Sequence, residues 1–167
     1  MDWAKELADQ LDWHWNAQLR PRMAGLTDDE YFWEPVPDCW TVRSGHRIDW
    51  AWPPPEPAPV TTIAWRLAHV IVGVLGLRTH THFGGPAVGF DDFPYADNAA
   101  TALTQLDDAY VLWMDGVRGL SAEALTAPSG EPGFEDYPLA ALILHIHREV
   151  IHHGAEISLL RDLYQRR

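Results

Sequence analysis

Apolar residues return every fourth position at the start of the chain: Trp3, Leu7, Leu11, Trp15, Leu19 and Met23. That spacing keeps one stripe on a helix and predicts a first long helix from about Asp2 to Met23, with Pro21 placed to bend it or end it early. Thr27-Asp28-Asp29-Glu30 has the form of a capping box and predicts a short helical turn that stops before Pro35. A second long helix is expected to begin after Thr61 or Thr62 and to run to about His82. Its Ile63, Leu67, Val70, Ile71, Val74, Leu75 and Leu77 leave almost no polar face, so it should be buried on most sides. Asn98 can cap a third helix reaching Val117, with Leu103, Leu106, Tyr110, Trp113 and Val117 facing inward. Tyr137-Pro138 opens a fourth helix running to about Tyr164, whose inward stripe is Leu142, Ile146, Val150, Ile157, Leu160 and Tyr164.

Four long helices in a chain of 167 residues imply one all-α domain over residues 1–167, a four-helix bundle with a long crossover between the first two long helices. The crossover, residues 35–59, is irregular and stiffened by Pro35, Pro37, Pro53, Pro54, Pro55, Pro57 and Pro59, and it carries Trp40, Trp50 and Trp52. So long a segment without regular structure is often functional, so it is either a binding-site wall or a brace across the bundle.

Charge narrows the function classes. Acidic residues outnumber Lys and Arg by 24 to 12, a formal charge of −12, which repels phosphate backbones and anionic lipid and argues against nucleic-acid or membrane partners. The longest apolar run, Val70 to Leu77, is less than half of a membrane span. The charged start Met1-Asp2-Trp3-Ala4-Lys5-Glu6 has no apolar core of a secretory signal, and a cytoplasmic location is expected. Cys39 is the one cysteine, which excludes an intrachain disulfide, and its Pro-Asp-Cys-Trp setting offers no activating neighbour for a thiol nucleophile. The nine tryptophans should fill a core or line a cavity.

Candidate chemistry concentrates in the histidines. The fourth helix reads Leu144-His145-Ile146-His147-Arg148-Glu149-Val150-Ile151-His152-His153-Gly154-Ala155-Glu156. A projection at 100° per residue puts His153 in the middle of the inward stripe, with Glu149 one turn earlier at its edge. His145 and His152 fall well off the stripe, and His147 falls off its opposite edge. Residues four apart on a helix are surface neighbours, and a carboxylate and an imidazole buried together are costly unless paired or metal-bound. A third ligand is expected from His69, in the most apolar helix, where Trp65, His69, Gly73 and Gly76 share one face. His69, Glu149 and His153 would give a divalent metal, Zn or Ni, three protein ligands with positions left open, the pattern of a catalytic site. His145 and His152 stand as rival ligands. The blander reading makes His69 a hydrogen-bonded core histidine and the His153 cluster a solvated edge. His14, His46, His80 and His82 are expected at the surface or in support.

Sharper motifs fail. His147 to His152 is not an HExxH zincin, because an extra residue separates His147 from Glu149. Glu149-Val150-Ile151-His152 matches half of a di-iron pair, and no second Glu-x-x-His exists.

Over nearly the whole length the chain resembles the DinB-like superfamily, in particular its actinobacterial branch of mycothiol-dependent enzymes. The resemblance rests on the order and spacing of three pieces: Leu11-Asp12-Trp13-His14-Trp15, Trp65-Arg66-Leu67-Ala68-His69, and Arg148-Glu149-Val150-Ile151-His152-His153-Gly154-Ala155-Glu156-Ile157. It implies a DinB-like four-helix bundle with a metal held by one histidine of the second helix and a pair four apart on the last. Many relatives use His-x-x-x-His there, whereas Glu149 and His153 look like the arrangement of mycothiol-dependent maleylpyruvate isomerase. His152 would align by the following glycine, but Arg148 four residues before it cannot bind a metal. The resemblance further implies a metal-dependent thiol S-transferase (or isomerase) with mycothiol or a similar low-molecular-weight thiol as co-substrate, acting on an electrophile. Arg66 and Arg148 would contribute to a cationic rim around the thiol. A metal-dependent hydrolase and a non-catalytic, stress-related metal-binding protein stay open beside it, and so does a homodimer.

Overall fold

Each long helix starts where a short polar side chain or a proline interrupts the apolar pattern. In the computed structural model, which describes residues 1–167, the first long helix is α1 (Trp3–His14), a π-helical stretch Trp15–Leu19, and a last turn α2 (Arg20–Arg22). Asp2 caps it by accepting from the Lys5 N–H. α3 (Asp28–Tyr31) is the short turn capped by Thr27. The second long helix is α4 (Ile63–Ala68), a π-helical stretch His69–Gly76, and α5 (Leu77–Phe83), capped by Thr62 and closed by Gly84 in the left-handed region at φ 72°. α6 (Ala99–Arg118) is capped by Asn98, a short α7 (Ala122–Thr126) follows Ser121, and α8 (Leu139–Tyr164) begins after Pro138. No helix is long and apolar enough to cross a membrane.

Packing explains the long crossover. The first long helix packs against α6 and α8, and the second packs against the same two, so the first and second stand diagonally across an all-α bundle. A tight turn cannot join diagonal helices. The crossover is regular only in a two-residue hairpin, β1 (Val42–Arg43) against β2 (Arg47–Ile48), antiparallel with Val42 opposite Ile48. It is pinned to the second helix where the Trp65 indole N–H donates to the Asp49 carbonyl at 2.8 Å and the Thr62 hydroxyl donates to that of Thr41 at 2.8 Å.

One cluster of 33 buried residues forms the core, and all four long helices contribute to it. Trp15 stacks on Tyr110 at 3.8 Å, joining the first helix to α6. An added Cβ on Gly154 would lie 2.6 Å from Leu19 Cδ1, so glycine sets the close approach of the first and last helices.

Three expectations need correcting. Glu30 does not reach back to complete its capping box. It turns into the core and pairs with Arg161, at 2.6 and 3.1 Å, with 3% and 7% of the two residues exposed. His147 is not off the stripe but fully buried, its ring 6.1 Å from that of Trp113. The physical reason is the width of the buried arc. α8 meets two long helices at once, so a second row, Ile143, His147, Gly154 and Arg161, is buried beside the one the periodicity picked out. Finally, Trp3 and Trp52 face solvent and neither fill core nor line a cavity.

Candidate metal centre

His69 sits where α4 gives way to the π-helical stretch. Such wide turns recur at functional sites because they re-aim a side chain without breaking the helix. Its ring stacks on Trp65 one turn earlier (5.2 Å, 12° between planes) and meets the ring of His153 edge-on at 4.8 Å. Gly73 makes the room: a Cβ there would lie 3.1 Å from His69 Nδ1 and 3.0 Å from the tip of Phe90. Phe90 in turn stacks on Trp50 of the crossover at 5.5 Å, and Trp40 lies between Trp50 and Trp65 at 6.5 and 5.9 Å. The crossover is therefore both brace and wall, and the wall beside His69 is aromatic.

From α8, His153 is buried, and its Nε2 lies 3.6 Å from Glu149 Oε2. Two donors bonded to one four-coordinate zinc at about 2.0–2.1 Å stand roughly 3.3–3.4 Å apart, so this spacing needs only a few tenths of an ångström of adjustment. α8 thus places Glu149 beside His153, and the second long helix brings the ring of His69 against that of His153.

Protonation favours ligation. Burial pushes the His69 imidazole down to about 4, helped by neighbouring His153 and Arg66. Burial also lowers His153, partly offset by its hydrogen bond to Glu156. Neutral imidazoles with free lone pairs are what a metal needs. The buried Nδ1 of His69 has no hydrogen-bond partner.

Glu156 is the functional residue that the sequence reading missed. The Nδ1–H of His153 donates to Glu156 Oε2 at 2.7 Å, and Arg66 Nε lies 3.1 Å from the same oxygen. Arg66 Nη1 is also 3.5 Å from His153 Nδ1 and its guanidinium lies over the Trp65 ring. A carboxylate on the far nitrogen fixes the tautomer and leaves Nε2 facing Glu149. The His-x-x-Glu spacing places the two on neighbouring turns and was legible as such.

The rivals lie differently. His152 is 58% exposed, its Nε2 3.5 Å from Glu156 Oε1, and His152, His153 and Glu156 form a group that could hold a metal ion. Within that group His153 Nδ1 lies 2.7 Å from Glu156 Oε2. His145 is exposed and accepts at Nδ1 from Arg148 at 2.5 Å, with Glu149 Oε1 3.7 Å away. Cys39 is buried, and burial raises its thiol above the usual range, as an inert cysteine requires.

Comparison with known proteins agrees with this architecture. The family model of the DinB superfamily matches residues 10–157, which take in the later part of the first long helix, the His69 segment and the Glu149–Glu156 stretch. No curated protein and no solved structure matches the chain. A match over most of the length, on a helical bundle with histidines converging from the second and last helices, shows that the chain belongs to the DinB superfamily.

Proposed function

We propose that the protein is a divalent-metal-dependent thiol S-transferase that holds Zn or Ni through His69, Glu149 and His153 and uses mycothiol or a similar low-molecular-weight thiol. The observation that carries the metal is the orphaned, buried Nδ1 of His69, on a ring set 4.8 Å from that of His153. Two imidazoles and a carboxylate suit a borderline cation and leave coordination positions for a substrate. A bound divalent cation would supply the charge that stabilises the conjugate base of a thiol.

The chain's own residues do the rest. Glu156 holds His153 in one tautomer, and Arg66 holds Glu156. Trp65 stacks on His69 and fixes its ring plane, and Phe90, stacked on Trp50, packs beside Gly73 one turn further on. Glu149 carries the negative charge that keeps the cation in place. A three-donor site behind an aromatic wall fits turnover better than storage, where a closed shell would serve.

The test uses the full chain loaded with Zn²⁺ or Ni²⁺, monochlorobimane as electrophile, and mycothiol, glutathione or no thiol. In the reaction a C–S bond replaces the C–Cl bond, chloride leaves and the thiol proton passes to solvent. Fluorescent conjugate should form with metal and mycothiol together, and chelator should stop it. Conjugation that ignores the metal overturns the proposal. Ester cleavage without thiol reassigns the site to a hydrolase, in which the cation would activate water.

A further inference from the structure

A cavity of about 430 Å³ lies beyond Glu149, between α5 and the first turns of α8, under the loop that joins α7 to α8. That volume is near the small end of ligand pockets, about 300–1,000 Å³. The loop is held down at Glu131, whose Oε1 takes Arg78 at 2.8 Å and whose Oε2 lies 3.1 Å from His82 Nε2. Phe134, Tyr137 and Leu142 supply an apolar lining, and Arg78, His145 and Arg148 supply the polar one.

We infer that this cavity binds a small organic carboxylate with a flat apolar body. Three observations converge. Glu131 is the one acid in the lining, and both of its oxygens are already engaged, which leaves the wall with an excess of cations in a chain of charge −12. Donors outnumber acceptors there as well. Arg78 spends Nη1 on the Gly73 carbonyl and Nη2 on Glu131, yet its buried Nε–H has no acceptor. His145 accepts at Nδ1 from Arg148, so its proton sits on Nε2 and that nitrogen is a donor. Arg148 is 70% exposed, and with one Nη on His145 its nearest carboxylate, Glu149, is no closer than 3.6 Å, so its charge is not neutralised by a close acid. A guanidinium and an imidazole N–H side by side suit a planar carboxylate, and the rings of Phe134 and Tyr137 suit a flat body behind it. Arg148 and His145 each touch both the cavity wall and the surroundings of Glu149, so an occupant here has its acid group beside the proposed metal ligand. The cavity stands whether or not a metal binds, which keeps the two readings separable.

The test is ¹⁹F NMR titration of the full chain with 4-(trifluoromethyl)phenylacetate, beside the matching amide and beside inorganic phosphate. The acid should bind about tenfold or more tightly than the amide, the loss expected for one charge-assisted hydrogen bond, and phosphate should compete poorly because it has no apolar body. Arg148→Gln should weaken the acid by a similar factor and leave the amide unmoved. Ala141→Trp should fill the cavity and remove both, in a protein whose thermal melt shows it still folded. Chelator-treated protein should bind the acid within about threefold of the metal-loaded form, the cavity being intact. Equal affinity for acid and amide, or binding that survives Ala141→Trp, overturns the inference. So does binding that disappears with the metal, because the acid would then sit on the ion.

Discussion

Replacing Glu156 probes the support of the metal centre without removing a proposed ligand. In the native chain its Oε2 accepts from His153 Nδ1 at 2.7 Å and is balanced by Arg66 at 3.1 Å. Glu156→Gln keeps an acceptor for the imidazole but deletes the charge, leaving Arg66 uncompensated within 3.5 Å of His153 Nδ1. Loss of such an outer carboxylate typically lowers metal affinity by about 10–100-fold, or roughly 1.4–2.7 kcal/mol. Glutamine should fall near the lower end because the hydrogen bond persists. Glu156→Ala, which also frees the ring to rotate, should fall near the upper end. The assay is Zn²⁺ competition against a chromophoric chelator at pH 7.5, with His152→Ala as the companion variant. Graded weakening by Glu156→Gln and Glu156→Ala, with no change for His152→Ala, is the expected pattern. Abolished binding in Glu156→Gln together with a strong loss in His152→Ala would refute the reasoning, since it would move the ion to His152, His153 and Glu156. Unchanged affinity in Glu156→Ala would refute it from the other side.

Two further predictions concern the frame that carries the site. Arg161→Met strands the Glu30 carboxylate, 3% exposed, and also removes donors from the Arg22 and Ala24 carbonyls, so urea unfolding should show a loss of about 3–5 kcal/mol. The Glu30→Met, Arg161→Met double variant should recover part of that loss, because no charge is then left buried. His147 links stability to pH. Its folded-state pKa of about 4 lies below the ordinary histidine value near 6.5 because burial disfavours the charged ring. The unfolded chain therefore takes up the proton first, and stability present above pH 6.5 is lost as pH falls toward 4, by on the order of 3 kcal/mol from this residue. His147→Leu should flatten that part of the profile and, with two unpartnered nitrogens gone, should not destabilise the protein at pH 7.5. A profile equally steep in wild type and His147→Leu would exclude His147 as its source.

What the sequence could and could not reveal follows from the range of each interaction. Caps are local, and Asp2, Thr27, Thr62, Asn98 and Ser121 each accept from a backbone N–H three residues on. Their helices could be placed from spacing alone. Glu149 and His153 were legible because four residues on one helix fix a face. His69 could be paired with them only by the family resemblance and the reading of its apolar helix. Glu30 misled because its partner, Arg161, lies 131 positions away, and nothing local favours that pairing over the capping box. His147 misled because a single stripe was assumed for a helix that serves two neighbours. The π-helical turn at His69 has no signature in residue type, and the stacking of Phe90 on Trp50 depends on two irregular loops meeting.

The central claim is one divalent ion held by His69, Glu149 and His153, and isothermal titration of chelator-stripped protein with Zn²⁺ at pH 7.5 tests it most directly. The account predicts one site per chain in the wild type, no stoichiometric binding in His153→Ala, and strong weakening in His69→Ala, because two ligands from a single helix leave the ion mostly to water. His147→Ala should bind one ion as the wild type does, its ring lying against Trp113 on the second buried row. Wild-type stoichiometry and affinity in both His69→Ala and His153→Ala would contradict the account.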